Sequence, residues 1–252
     1  MPTPCLVAFD LDDTLAPSKS PLDPRMLETF ASLLAAVPVA VISGGNFQQF
    51  EQQLVRPLRE REGLVLDDLH LLPTCGTAYY RWSGSDWALQ YAEDLTDDEK
   101  ARALAAVEAQ AKAAGYWASE TWGEILEDRG SQITFSALGQ SAPVDVKKRW
   151  DPTGEKKDHL RRLVQAELPD LEVRSGGSTS VDITRKGIDK AYGMRRLAEL
   201  TGIPLDEMLF VGDRLDPEGN DYPVKALGVP CHAVAGWVDT DAFLTALIPT
   251  LR

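Results

Sequence analysis

The 252-residue sequence is poor in the features that mark secreted, membrane-spanning or zinc-held proteins. Its three cysteines, Cys5, Cys75 and Cys231, are an odd number without metal-like spacing, and each lies in an apolar context as a small core residue would. The three histidines, His70, His159 and His232, stand alone in the same way. No apolar run approaches the roughly 18–20 residues that a membrane helix needs. The stretch from Cys5 to Phe9 is too short for a signal-peptide core and has no basic leader, so the cytoplasm is the expected compartment. Basic residues are also scarce. Against 39 Asp and Glu there are 26 Lys and Arg, and the net charge of −13 argues against nucleic acid and anionic membranes as partners. It does not argue against a phosphorylated substrate, because a metal ion and a few cations can make one pocket positive within an acidic surface.

What is present divides into three stretches. From Pro4 to about Trp82, short apolar runs alternate with helix-like segments. Leu6 to Phe9 reads as a buried strand, Asp23-Pro24 as an N-cap with proline at the first helical position, and Val39 to Ile42 as a second buried strand before a helix from about Phe47. Uninterrupted apolar strands separated by helices signal a parallel sheet covered on both faces. From about Ser83 to Arg185 the pattern changes. Asp97 to Ala114 reads as a helix with Ala101, Leu104, Val107 and Ala111 on one face, and an Asp128-Arg129-Gly130 turn joins two strand-like stretches. From Lys186 onward the parallel pattern resumes. The expected fold is therefore α/β, a Rossmann-like parallel-sheet core formed by residues 1–82 and 186–252, with an α+β cap inserted at 83–185.

In open parallel sheets ligands bind beyond the carboxyl ends of the strands, and the densest polar clusters fall there. The first strand runs into Asp10-Leu11-Asp12-Asp13-Thr14, the second into Ser43-Gly44-Gly45, and a later one into Gly212-Asp213 with Asn220-Asp221 shortly after. An Asp-rich strand end by itself is as readily a helix cap or a solvated turn. Two such ends with Ser-Gly-Gly between them describe a site. A carboxylate such as Asp10 can attack phosphorus if the phosphate's charge is neutralised, and hard oxygen ligands such as Asp10, Asp12 and Asp213 suit Mg²⁺. Asp12 can protonate the leaving oxygen and later activate water. Ser43 and the Gly44 amide offer hydrogen bonds to phosphoryl oxygens, and a lysine would complete the clamp.

At these residues the chain resembles the haloacid dehalogenase superfamily of phosphotransferases. Asp10 to Thr14 matches its first motif, Ser43 its second, Lys190 its third, and Gly212-Asp213 with Asn220-Asp221 its fourth. The resemblance implies Asp10 as nucleophile, Asp12 as acid–base, Ser43, Gly44 and Lys190 as phosphate ligands, and Mg²⁺ held by Asp10, Asp12, Asp213, Asn220 and Asp221. The family's usual glycine after the second aspartate is Asp13 here. The cap's size and position are similar to those of the subgroup of sugar phosphatases and eukaryotic-type phosphomannomutases. Within it, Gly212-Asp213-x-x-x-Pro217-x-Gly219-Asn220-Asp221-Tyr222, Gly176-Gly177-x-x-Ser180-x-Asp182 and Gly187-Ile188-Asp189-Lys190 look most like phosphomannomutase.

By the same carry-over, Ser180 and Asp182 would bind sugar hydroxyls and Arg129 the distal phosphate. Three positions where the mutase pattern has arginine hold Gln140, Lys147 and Lys19, and lysine cannot form the bidentate fork that arginine makes with phosphate. Ser43 stands where mutases carry an apolar residue and phosphatases Ser or Thr. These departures lead to the expectation of a Mg²⁺-dependent phosphatase acting on a sugar phosphate or similar small metabolite, with Lys19, Arg129, Lys147, Ser180 and Asp182 contacting substrate. The alternatives are a phosphomannomutase-like hexose-phosphate isomerase and, less in keeping with the intact motifs, a catalytically silent binding protein. A homodimer is compatible with the sequence, which does not fix the oligomeric state.

Overall fold

The computed structural model describes residues 3–61, 63–176 and 179–251. In chain order, the first part comprises β1 (Leu6–Phe9), α1 (Pro24–Leu34), β2 (Val39–Ile42), α2 (Phe47–Phe50), a π-helical segment (Glu51–Val55), α3 (Arg56–Arg59), β3 (Leu69–Leu72), β4 (Ala78–Trp82) and β5 (Trp87–Ala92). The second comprises α4 (Asp97–Ala113), β6 (Leu126–Asp128), β7 (Gln132–Ser136), α5 (Val144–Trp150), α6 (Glu155–Glu167), β8 (Leu171–Ser175) and β9 (Ser180–Arg185). The third comprises α7 (Lys190–Thr201), β10 (Met208–Gly212), α8 (Tyr222–Ala226), β11 (Cys231–Ala233) and α9 (Trp237–Leu247).

The first and third parts share one seven-stranded sheet of order β11-β10-β1-β2-β3-β4-β5. The five strands from β11 to β3 run parallel, and β4 and β5 add antiparallel to one edge. Every residue of β1, β2 and β3 is buried, which is why β1 and β2 read as continuous apolar runs rather than alternating ones. Val7, Phe9, Val39 and Val41 belong to one apolar cluster with α1, while Leu6, Ala8, Ala40 and Ile42 belong to a second with Met194 and Leu197 of α7. The sheet is thus covered on both faces, and its carboxyl edge carries the polar residues. Among the described residues, no helix is long and apolar enough to cross a membrane.

The chain divides into two compact units, residues 1–92 with 189–252, and residues 93–188. Residues 87–92 fall with the large sheet rather than beyond the boundary expected at 83, because β5 pairs with β4 along Trp82↔Trp87 and Tyr79↔Tyr91. The second unit is an antiparallel sheet of order β6-β7-β9-β8 with its own apolar core, in which Val107, Ile133, Phe135, Leu160, Val164, Val181 and Ile183 are buried. On α4 the buried residues are Ala103, Ala106, Val107 and Ala111, with Leu104 packed beside them, so that of the expected stripe only Ala101 turns outward. An alanine-rich helix has too little hydrophobic contrast to fix its own face, so the sheet beneath it chooses.

One contact in the core holds α7 in place. Thr74 and Cys75, in the turn after β3, have left-handed backbone at φ 49° and 57°, and Gly76 follows at φ 88°. The turn lies against α7 so closely that a Cβ at Gly193 would sit 2.7 Å from the Cys75 carbonyl oxygen, and one at Gly76 would sit 2.6 Å from the Gly193 Cα. Two glycines thus allow backbone to meet backbone beneath the helix that carries Lys190. Gly193→Ala is expected to lower stability by about 1–3 kcal/mol in urea unfolding, as overpacking does.

Candidate active site

Asp10 follows the last residue of β1, and its amide donates to the Val211 carbonyl of β10 at 3.1 Å. The carboxylate is almost wholly buried, and its Oδ1 accepts from the Leu11 amide at 2.7 Å. Lys190, the first residue of α7, is buried equally well. Its Nζ lies 2.6 Å from Asp10 Oδ1 and 2.6 Å from Asp221 Oδ1. The other Asp221 oxygen accepts from the Arg214 amide at 3.0 Å, which locks the loop after β10. Asp213 completes the group, its Oδ1 accepting from the Thr14 hydroxyl at 3.2 Å. The backbone carbonyl of Thr14 in turn takes the hydroxyl of Thr240 on α9.

Asp10, Asp213 and Asp221 each bring a carboxylate oxygen within 4.8 Å of the others. Burial pushes the Asp10 carboxyl well above the usual carboxylate range, against the pull of Lys190, and burial likewise raises Asp213. Burial works against the Lys190 charge too, but the Asp10 and Asp221 carboxylates outweigh it and raise its pKa, so the ammonium is kept. Three carboxylates therefore face one ammonium in a desolvated pocket. Hard oxygen donors in such a group fit a divalent cation of the magnesium kind, which would return the aspartates to their ionised forms.

The other expected metal residues lie outside this group. The Asp12 carboxylate is held elsewhere, its Oδ1 accepting from the Lys19 amide at 2.7 Å and from the Gln53 side chain at 2.9 Å. Asn220 is exposed on the loop. Lys19 has positive φ, 56°, and its backbone rather than its ammonium is what meets Asp12. Asp13 also has left-handed backbone, φ 58°, which explains the glycine that the superfamily pattern has there; its short side chain compensates by accepting from the Ser18 amide. Ser43 and Gly44 follow β2 at the same carboxyl edge. The Ser43 main chain is fixed on both sides, donating to Leu72 and accepting from Cys75, and its hydroxyl accepts from the Gly45 amide at 3.2 Å.

Within the second unit, three of the residues selected by the sequence come together. The Arg129 guanidinium, almost fully buried, donates to Glu127 at 2.8 Å and to Gln140 Oε1 at 3.4 Å, and the Lys147 ammonium donates to the Gln140 carbonyl at 2.8 Å. Arg129 does not brace its turn against Asp128, which pairs with Lys100 instead. Ser180 and Asp182 share one face of β9, Ser180 bonded to Ser136 at 3.0 Å and Asp182 accepting from Thr134 at 2.8 Å. Gly177, part of the same motif, lies outside the described residues. The histidines take structural roles. His70 is buried against the Tyr79 hydroxyl at 2.7 Å with its pKa lowered to about 4 by burial, His159 meets Tyr116, and His232 stacks on Phe243.

A doubly covered parallel sheet with a buried Asp–Lys–Asp centre at its carboxyl edge, interrupted by an α+β insertion, defines a phosphoryl-transfer enzyme of the haloacid dehalogenase superfamily. A sequence profile of the eukaryotic phosphomannomutases matches residues 26–249, and the chain belongs to that family. It is 27% identical over 257 residues to the phosphomannomutase of Saccharomyces cerevisiae, spanning 96% of this chain and 93% of the yeast protein. Identity to the phosphomannomutase of Spinacia oleracea is 24% over 241 residues, spanning 88% and 87%. Among solved structures, a haloacid dehalogenase-like hydrolase from Bacteroides thetaiotaomicron superposes with a TM-score of 0.63 at 17% identity, covering 97% of this chain and 98% of that one. The profile begins after Asp10 and Asp12.

Proposed function

We propose that the protein is a phosphomannomutase-type enzyme that moves a phosphoryl group between two hydroxyls of a hexose. The expectation of a simple phosphatase gives way to this reading because the full-length likeness is to mutases. The observation that carries it is the extent of that likeness, a profile match over residues 26–249 that includes the whole inserted unit and Arg129, the residue assigned to a second phosphate that a hydrolase has no need to grip.

In this reading an Asp10 oxygen attacks phosphorus, the bond from phosphorus to the sugar oxygen breaks, and Asp12 gives that oxygen its proton. An acceptor hydroxyl then attacks the aspartyl-phosphate, Asp12 takes the proton, and Asp10 is released. Lys190 holds Asp10 in place and offsets charge on the transferring group. Asp10, Asp213 and Asp221 would hold Mg²⁺, which when bound neutralises phosphoryl charge. Ser43, Gly44 and the Lys190 ammonium are assigned to phosphoryl oxygens. Arg129, Lys147, Ser180 and Asp182 are assigned to the rest of the substrate.

Hydrolysis is the second reading, favoured by Gln140, Lys147 and Ser43, which weaken the distal grip and depart from the mutase pattern. Following a hexose 1-phosphate by ³¹P NMR, with Mg²⁺ and catalytic hexose bisphosphate, separates the two. Hexose 6-phosphate is expected to appear faster than inorganic phosphate, and inorganic phosphate as the sole product would establish the hydrolase. In the same assay Arg129→Ala is expected to slow hexose-phosphate turnover by about tenfold or more, the worth of a charged hydrogen bond. An aryl phosphate, which gives the cap nothing to hold, should lose less than about threefold.

A further inference from the structure

Gln53 is the middle residue of the π-helical segment that separates α2 from α3, and it is buried to 2% exposure. π-Turns place one extra residue in a helix and turn side chains and carbonyls out of their ordinary register, frequently at functional sites. Here the turn frees the Gln53 carbonyl to accept from the Leu22 amide at 2.9 Å. Its side-chain amide donates to Asp12 Oδ1 at 2.9 Å and to the Ser20 carbonyl at 3.2 Å. Both facing atoms are acceptors, so chemistry assigns the NH₂ end of the amide to them. One residue thus ties down the segment from Asp12 to Leu22 by main chain and side chain together. With the Lys19 amide, it saturates a single oxygen of Asp12. Among the described residues the second oxygen, Oδ2, has no protein partner.

We infer that Gln53 is a positioning residue for proton transfer, holding Asp12 by Oδ1 so that Oδ2 is presented to the oxygen that leaves or attacks. This rests on the acid–base reading of Asp12. No proton passes through Gln53 itself. With two donors on Oδ1, Oδ2 is the oxygen left to exchange a proton with the leaving oxygen as its bond to phosphorus breaks. Without the amide, Asp12 keeps the Lys19 bond alone and is free to rotate about χ2, so the correct orientation is populated only part of the time.

The inference has a signature that a loop staple alone would not give, because dependence on a proton donor scales with the basicity of the leaving group. A hexose alkoxide needs the proton, and p-nitrophenolate does not. With enzyme in excess and Mg²⁺ present, the first-turnover release of leaving group isolates the phosphorylation of Asp10. Gln53→Met, of similar volume but without a donor, is expected to slow hexose release by about a hundredfold and p-nitrophenolate release by less than about threefold, within the usual range for general acid catalysis. Gln53→Glu, which places an acceptor against Asp12, should show the same selectivity, and it serves if the Met variant folds poorly by circular dichroism. Asp12→Ala, measured in parallel, reports on the underlying reading. If it slows hexose release selectively and the Gln53 variants slow both substrates alike or neither, Gln53 is only a staple and the inference is overturned. If Asp12→Ala itself shows no selectivity, the acid–base reading fails and the inference falls with it.

Discussion

Asp10→Asn is expected to fold as the wild type does and to turn over at less than about a thousandth of its rate. Asparagine has the volume of aspartate and can still accept from the Leu11 amide and face Lys190, so the packing at the end of β1 survives. What is lost is the carboxylate oxygen that would bond to phosphorus. Removing a nucleophile costs several orders of magnitude, and the residual rate comes from binding and electrostatics alone. Steady-state turnover of a hexose phosphate with Mg²⁺, alongside thermal unfolding, measures both. A rate above about a hundredth of wild type in a normally folded variant would exclude a covalent mechanism through Asp10.

Lys190→Met is expected to damage both function and fold. The ammonium is buried between Asp10 and Asp221 at 2.6 Å from each, and methionine fills the space without the charge. Breaking a buried pair by removing one partner costs about 3–5 kcal/mol, because the carboxylates are left in a desolvated site without their cation. Activity should fall by at least about a thousandfold, since the phosphoryl clamp goes as well. Urea unfolding reads the first effect and turnover the second. A variant as stable as the wild type would mean that Asp10 and Asp221 find other partners, and that the buried lysine does not organise the rim.

The rim was legible in the sequence because parallel strands buried on both faces announce themselves as apolar runs, and the residues that end them must be the ones the sheet presents. Asp10, Ser43 and Asp213 were found this way. The lysine that meets Asp10 needed the superfamily spacing, since nothing local distinguishes Lys190 from Lys186. Gln53 was not legible. It is separated from Asp12 by 41 positions, and a π-turn that no local pattern in Glu51–Val55 signals brings it inward. On α4 the sequence placed Leu104, Val107 and Ala111 on the packed face but not Ala103 and Ala106, because alanines on all sides give little contrast. Asn220, selected with its neighbour Asp221, turned out exposed while Asp221 is fully buried, because the tight loop at Gly219 separates the two side chains' fates. Glu127 as the partner of Arg129, two residues on and just past the end of β6, was obscured by the Asp-Arg-Gly turn.

β1 lies between β2, which follows within 30 residues or so, and β10, whose register pairs Leu6 with Met208 and Phe9 with Val211. During synthesis the first strand therefore waits for about 200 residues before its second neighbour exists, whereas residues 93–188 make their contacts within one continuous stretch. Units fold as they emerge, so the insertion can be complete while β1 still has an open edge. The carboxylates of Asp10 and Asp221 and the ammonium of Lys190 meet only when β10 docks. Assembly of the catalytic centre thus depends on contacts of long sequence separation rather than on any local helix or hairpin.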